Sequence, residues 1–252
     1  MTADQYLANI LMREAVNTGV GSPVLTVQNT LLPALRDWGG QHLQNVHPSG
    51  SFAKGTANHS STDIDLFLSV AQGVPNTMKE IYDTLFNKMN ENGYSPRRQN
   101  VSINVKVSGY SVDLVPAKRQ DKYSSDHSLY RRRADTWTKT NVVTHIARVS
   151  QSGCISEIRL LKLWRDQKGL DFPSFYLELT AISALVGTNG TLSQRVWAAL
   201  QYLRDRFPNA RAIDPANTNN VISDDLNDTE RARIKAAAST ALAASDWSQI
   251  VK

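Results

Sequence analysis

The sequence predicts a mixed α/β (α+β) protein in two lobes, with a small twisted mixed sheet and its helices in the first half and a helical bundle in the second. Three observations predict it. Residues 64–70, 101–107 and 110–115 carry the apolar alternation or apolar run of strands. Tyr6, Leu7, Ile10, Leu11 and Ala15, and later Met78, Ile81, Tyr82, Leu85 and Met89, recur with the period of a helix docking on a body. From Ser152 onward the character turns helical. The expected domains are 1–150, which includes the N-terminal helix, and 151–252.

The first helix, over 4–17, is closed by Gly19, Gly21 and Pro23. The second, over 24–38, carries Pro33 as a kink site and is broken by Gly39 and Gly40. A short strand over 43–47 leads into a turn at Gly50 and Ser51, where glycine admits close approach of a ligand and N–H groups with a serine hydroxyl suit phosphate oxygens. About a dozen residues further on, Asp63, Ile64 and Asp65 open an apolar run. On a strand the two carboxylates share one face while Ile64, Leu66 and Leu68 take the other. Such a pair repels itself unless a cation stands between, and oxygen-only donors suit Mg²⁺ or Mn²⁺. The plainer reading is a solvated strand edge.

A helix over 76–92 follows, then two strands joined at Gly109. Asp113 faces away from Tyr110, Val112 and Leu114, and its apolar flanks put it on a sheet face or rim, where an uncompensated charge is costly. The stretch Lys118 to Arg133 holds six basic residues against two aspartates and reads as a solvated loop in preference to a phosphate-attracting rim. His47, beside Pro48, reads as structural or exposed in preference to a general base. Lys162 follows Ile155 and Ile158 at helical spacing and interrupts an apolar face, a position from which lysine ordinarily snorkels. Residues 229–245 are alanine-rich and helix-forming, after which Trp247 docks.

Composition narrows the classes. At 252 residues, 41% hydrophobic and 20% charged, the chain is ordinary for a globular protein. No apolar run is long enough for a membrane span and the N-terminus lacks a secretory signal, so a cytoplasmic protein is expected. A single cysteine, Cys154, excludes internal disulfides and cysteine-cluster zinc sites, and reads as a buried small hydrophobe. A net charge of +5 suits anionic ligands such as nucleoside triphosphates without demanding nucleic acid.

Gly50-Ser51, then Asp63-Ile64-Asp65, then Asp113 on a later hairpin resemble the DNA polymerase β-like nucleotidyltransferase superfamily. EIRLLKLWRDQKG followed by DFPSFYLELTAISAL is similar to a narrower group, the cGAS/DncV-like nucleotidyltransferases, which include the 2′,5′-oligoadenylate synthases and bacterial relatives. The resemblance spans the chain, strongly at 50–65 and 155–182 and loosely elsewhere. It implies a polymerase β-like core, a helical lobe closing a nucleotide cleft, and two ions, Mg²⁺ or Mn²⁺, on Asp63, Asp65 and Asp113. It also implies triphosphate contacts from Gly50, Ser51, Lys162 and Ser174, with Phe175 stacking on a base, although an aromatic at a helix start equally reads as apolar packing. AIDPANTNNV, 212–221, looks like an Asp-Pro-x-Asn-x-x-Asn loop of these synthases, although such composition also makes a plain turn.

The implied activity is joining of NTPs into a cyclic di- or trinucleotide or short oligonucleotide messenger in bacterial anti-phage defence. The alternatives are transfer to a tRNA 3′ end or a small-molecule acceptor, or an inactive nucleotide- or RNA-binding protein. The second half lacks an evident RNA-binding module, and three retained acids oppose inactivity. The implied partners are NTP substrates and accessory or effector proteins of a defence operon, with nucleic acid not required and a monomer expected. The chain lacks the zinc module of the animal DNA sensor, which argues against DNA activation.

Overall fold

The computed structural model of the chain describes residues 1–61 and 63–252. In order, the elements are α1 (Ala3–Arg13), α2 (Pro23–Gly39), β1 (Leu43–Pro48), α3 (Gly50–Lys54), β2 (Ile64–Val70), α4 (Met78–Glu91), β3 (Arg97–Arg98), β4 (Ile103–Val107) and β5 (Tyr110–Arg119). Then come β6 (His127–Arg131), β7 (Thr136–Thr140), α5 (Val142–Ser150), α6 (Ile155–Gln167), α7 (Ser174–Leu185), α8 (Leu192–Asp205), β8 (Ile213–Asp214), β9 (Asn217–Val221) and α9 (Asp228–Leu242). They form two compact units, one of Asn17–Gly55 and Thr62–Ala147, the other of Met1–Val16, Thr56–Ser61 and Arg148–Lys252.

The sheet unit carries strands in the order β1-β2-β5-β4-β3, with β6 joined to β5 and β7 to β6. Among the described residues, β2–β5 is the only parallel pair of this sheet. Alternation drives this arrangement: Ile64, Leu66, Leu68, Ile103, Val112 and Leu114 are fully buried, and α2 and α4 add Leu31, Leu35, Tyr82 and Leu85. Each of these helices has a defined start. Ser22 caps α2 ahead of Pro23, and Thr77 with Glu80 closes a capping box on α4. Pro33 sits inside α2, which continues past it. The Tyr82 hydroxyl donates to the carbonyls of Gln99 and Ser102, 2.8 and 3.1 Å away, and so fixes the approach to β4.

The β4–β5 hairpin decides what stands opposite Asp113. Ser108 and Gly109, at φ +50° and +84°, form a two-residue loop with both residues left-handed, the loop geometry that matches the twist of the strands it joins. Val107 therefore pairs with Tyr110, and counting back places Asn104 opposite Asp113.

Two expectations need correction. The basic stretch from Lys118 is not simply a loop, because β5 continues to Arg119 and pairs there with β6, starting at His127. Several of its cations tether backbone: Lys118 donates to the carbonyls of Val74 and Asn76, Arg119 to those of Asp121 and Ser124, and Arg132 to that of Gln99. Second, α1 belongs with the helical unit and not with the sheet, since Leu7 and Ile10 join the core of Leu161, Trp164, Tyr176, Leu200 and Ile234. Periodicity revealed an apolar face on α1 but not the body that covers it.

Within the helical unit, α7 is apolar almost all round because Tyr176 through Ile182 are all buried. Trp247 packs against this core beside Trp197. The segment Thr56–Ser61 is held in the same unit: Asn58 exchanges hydrogen bonds with Arg159, and the Ser60 N–H donates to the Glu14 carboxylate at 2.9 Å. Among the described residues no helix is long and apolar enough to cross a membrane.

Candidate active site

The parallel register of β2 and β5 sets Asp65 directly beside Asp113. In-register neighbours project to the same face, so the two half-buried carboxylates share a surface. Asp63 stands immediately before β2 and is exposed. On the other side of Asp113, the Asn104 amide donates to Asp113 Oδ1 at 2.7 Å and to Ser111 Oγ at 2.9 Å. Burial pushes the Asp113 carboxyl above the usual carboxylate range, and the negative charge of Asp63 adds to this. Hydrogen bonds from Asn104 and Ser102 act in the opposite sense.

The turn after β1 is locked to the same strand. The Ser49 N–H donates to the Asp65 carbonyl at 2.8 Å. Gly50 follows at φ +56°, and a Cβ there would lie 1.7 Å from Asp65 Oδ2, so both the backbone conformation and the space admit only glycine. Gly50 and Ser51 open α3, which has no capping side chain, and the first N–H groups of a helix have no intrahelical partner. One unit thus assembles Gly50, Ser51, Asp65 and Asp113, with Asp63 at the strand entrance.

The other predicted residues lie in the helical unit. Lys162 does not snorkel: it is 5% exposed, its ammonium donates to the Thr56 carbonyl at 3.2 Å, and Glu178 Oε1 stands 3.8 Å away. Ser174 is exposed at the start of α7, where its hydroxyl accepts from Arg165 at 2.8 Å. Phe175 is half-buried against the helical core. The 212–221 segment is a hairpin turn organised by buried Asp214, which accepts from the Ala216 N–H and the Asn220 amide. His47 packs on Phe67, its Nδ1 buried without a hydrogen-bond partner.

Asn104, Arg165 and Glu178 escaped the sequence reading. Asn104 had a signal, because a two-residue turn at Ser108-Gly109 fixes its position opposite Asp113. Arg165 lies one turn after Lys162 and was legible only as its companion on α6. Glu178 lay inside an apolar run and offered no signal beyond being a charge where none belongs.

The donor set is chemically suited to a hard cation, being carboxylate oxygens on neighbouring strands with one carboxyl already disfavoured as a bare charge. It is an open set and not a cage: among the described residues, no three His, Cys, Asp or Glu side chains already converge on one point.

No protein-family model matches the chain. The cyclic AMP-AMP-AMP synthase of Escherichia coli (strain MS 115-1) is 25% identical over 172 residues, 61% of this chain and 54% of the relative. The chain thus spans about half the length of the curated relative it matches. Among solved structures, E. coli MS115-1 CdnC with ATP superposes with a TM-score of 0.77 at 21% identity, covering 96% of this chain and 91% of that one. The Bradyrhizobium diazoefficiens CD-NTase CdnG in complex with GTP gives 0.75 at 13% identity, covering 95% and 90%. The fold of this chain is therefore the nucleotidyltransferase fold carried by CdnC and the CD-NTase CdnG.

Proposed function

We propose that this chain is a metal-dependent nucleotidyltransferase that joins nucleoside triphosphates into a cyclic di- or trinucleotide, or a short oligonucleotide, used as a messenger in bacterial defence. One observation carries the reading: Asp65 and Asp113 stand in register on parallel strands, against a turn whose glycine touches Asp65.

The reaction forms a bond from a ribose hydroxyl to an α-phosphorus and breaks the α–β phosphoanhydride, releasing pyrophosphate. Asp63, Asp65 and Asp113 would hold two Mg²⁺ or Mn²⁺ ions. Such ions lower the pKa of the attacking hydroxyl and offset charge on the leaving oxygens. Asp63 and Asp65, next to the turn, would hold both ions, and Asp113, on its separate strand, would join them at the ion that activates the attacking hydroxyl. The N–H groups of Gly50 and Ser51 and the Ser51 hydroxyl take phosphate oxygens. Lys162 and Ser174 act on the same triphosphate, and a hydroxyl that accepts from Arg165 still has its own proton to donate. Phe175 stacks on the base. ATP and GTP are the substrates the similarity to CdnC and CdnG favours, with accessory or effector proteins as partners.

The test is incubation of the purified protein with all four labelled NTPs and Mg²⁺ or Mn²⁺, followed by mass spectrometry. A phosphatase-resistant cyclic product is the expected result. Incorporation only into an added tRNA or small-molecule acceptor would replace this reading by the alternative transferase.

A further inference from the structure

Two helices of the helical unit meet through paired polar groups. Lys162 and Arg165 lie at i and i+3 on α6, and Ser174 and Glu178 lie at i and i+4 on α7, so each pair shares one face of its helix. Arg165 donates to Ser174, and Lys162 stands against Glu178. The first rung is exposed, the second deeply buried. Glu178 is 1% exposed, a position in which a carboxylate persists only if paired and hydrogen-bonded. Its Oε1 accepts from Thr56 Oγ1 at 2.7 Å, and the carbonyl of the same Thr56 accepts from the Lys162 ammonium at 3.2 Å. Thr56 is itself fully buried. Glu178, Thr56 and Lys162 therefore close a ring, and Thr56 begins the segment that runs from the Gly50 turn toward Asp63.

We propose that Glu178 is a positioning residue for nucleotide binding: it fixes the Lys162 ammonium and the Thr56 backbone together, and so sets where Lys162 presents its charge to a triphosphate. This rests on the nucleotidyltransferase reading. Glu178 touches no phosphate. It acts through Lys162, and its carboxylate orients an ammonium that otherwise has many rotamers in which to point elsewhere.

The experiment compares wild type, Glu178→Gln, Lys162→Met and the double variant, measuring KM and kcat for ATP together with direct binding of an ATP analogue non-cleavable between its α and β phosphates. Glu178→Gln keeps the shape and an acceptor for Thr56 while removing the charge. It is expected to raise KM and the analogue Kd roughly tenfold with kcat little changed, because a misplaced Lys162 ammonium weakens its charged hydrogen bond to phosphate in ground and transition state alike. In the Lys162→Met background the same change should have no further effect, because residues acting through one another are not additive. The double variant also removes both buried charges, which guards against a single variant that fails to fold. Thr56→Val, which removes one hydroxyl and leaves both charges, is a milder probe of the same ring and should give a smaller rise in KM. Equal losses in both backgrounds, or none in either, overturn the role of Glu178 while wild-type turnover leaves the transferase reading standing. Nucleotide binding with this non-additive pattern but no turnover would support Glu178 and sink the transferase reading instead.

Discussion

Gly50 lies against the Asp65 carboxylate with no room for a methyl group between them. Gly50→Ala should therefore move the turn, Asp65 or both, and displacements of about 1 Å at a reacting centre cost on the order of 100-fold. Turnover of the Gly50→Ala variant should fall by about that factor, whereas Gly73→Ala, where added bulk meets nothing within 4 Å, should be neutral. Comparable activities for the two would separate the turn from the chemistry.

Asn104 acts on the charge state of Asp113. Its hydrogen bond favours the ionised carboxylate against burial and the Asp63 charge. Asn104→Ala removes that support, so the Asp113 carboxyl moves further up and protons compete with cations at higher pH. The acid limb of the kcat/KM profile should shift upward, with a loss of about 1.5 to 3 kcal/mol in transition-state stabilisation near that limb. An unmoved limb would mean that Asn104 only packs.

Acid sensitivity of the fold should come from two histidines flanking Phe67. Burial holds His47 below its ordinary value, and burial with the nearby Arg119 and His47 does the same for His127. His127 Nδ1 faces the Ser125 carbonyl and must donate, and in the neutral ring that burial favours, Nε2 accepts from the Ser69 hydroxyl 2.8 Å away. The unfolded chain binds protons that the folded one refuses, so stability is full above the unfolded pKa of about 6.5 and is lost as pH falls through it. Tm should drop from pH 8 to pH 5.5. His47→Phe, which removes a titrating ring and its orphaned nitrogen, should flatten that drop in a thermal-denaturation series.

Phe175 divides its surface between the helical core and its surroundings. Phe175→Tyr should keep nucleotide affinity, since stacking uses the ring face, while Phe175→Ala should lose about 1 to 3 kcal/mol of it. Calorimetry with ATP and GTP checks this, and an affinity loss that only tracks a fall in Tm would assign the ring to packing alone.

What could be read in advance came from local rules. Alternation placed the strands, a glycine-closed helical period placed α4, and the Ser108-Gly109 turn dictated that Asn104 meets Asp113. The pairing of Asp65 with Asp113 is different in kind. Parallel strands 48 positions apart have no turn to count from, so only the folded sheet sets that register. The same limit hid Glu178, whose partner Thr56 is 122 positions away. It also misled on α1, because an apolar stripe states that something covers it and not what.

The chain passes from one compact unit to the other at residues 16–17, 55–56, 61–62 and 147–148. Neither unit is a continuous stretch that can be cut out, expressed alone or exchanged between proteins. Synthesis runs from the N-terminus, and domains ordinarily close as they emerge. Here the order inverts: α1 is made before α6 to α9, yet its Leu7 and Ile10 have no core to enter until those helices exist, and the Tyr6 hydroxyl bonds to the carbonyl of Val251. A helix made before α6 to α9 is thus buried only with them, and until then its apolar stripe is the surface a chaperone would find.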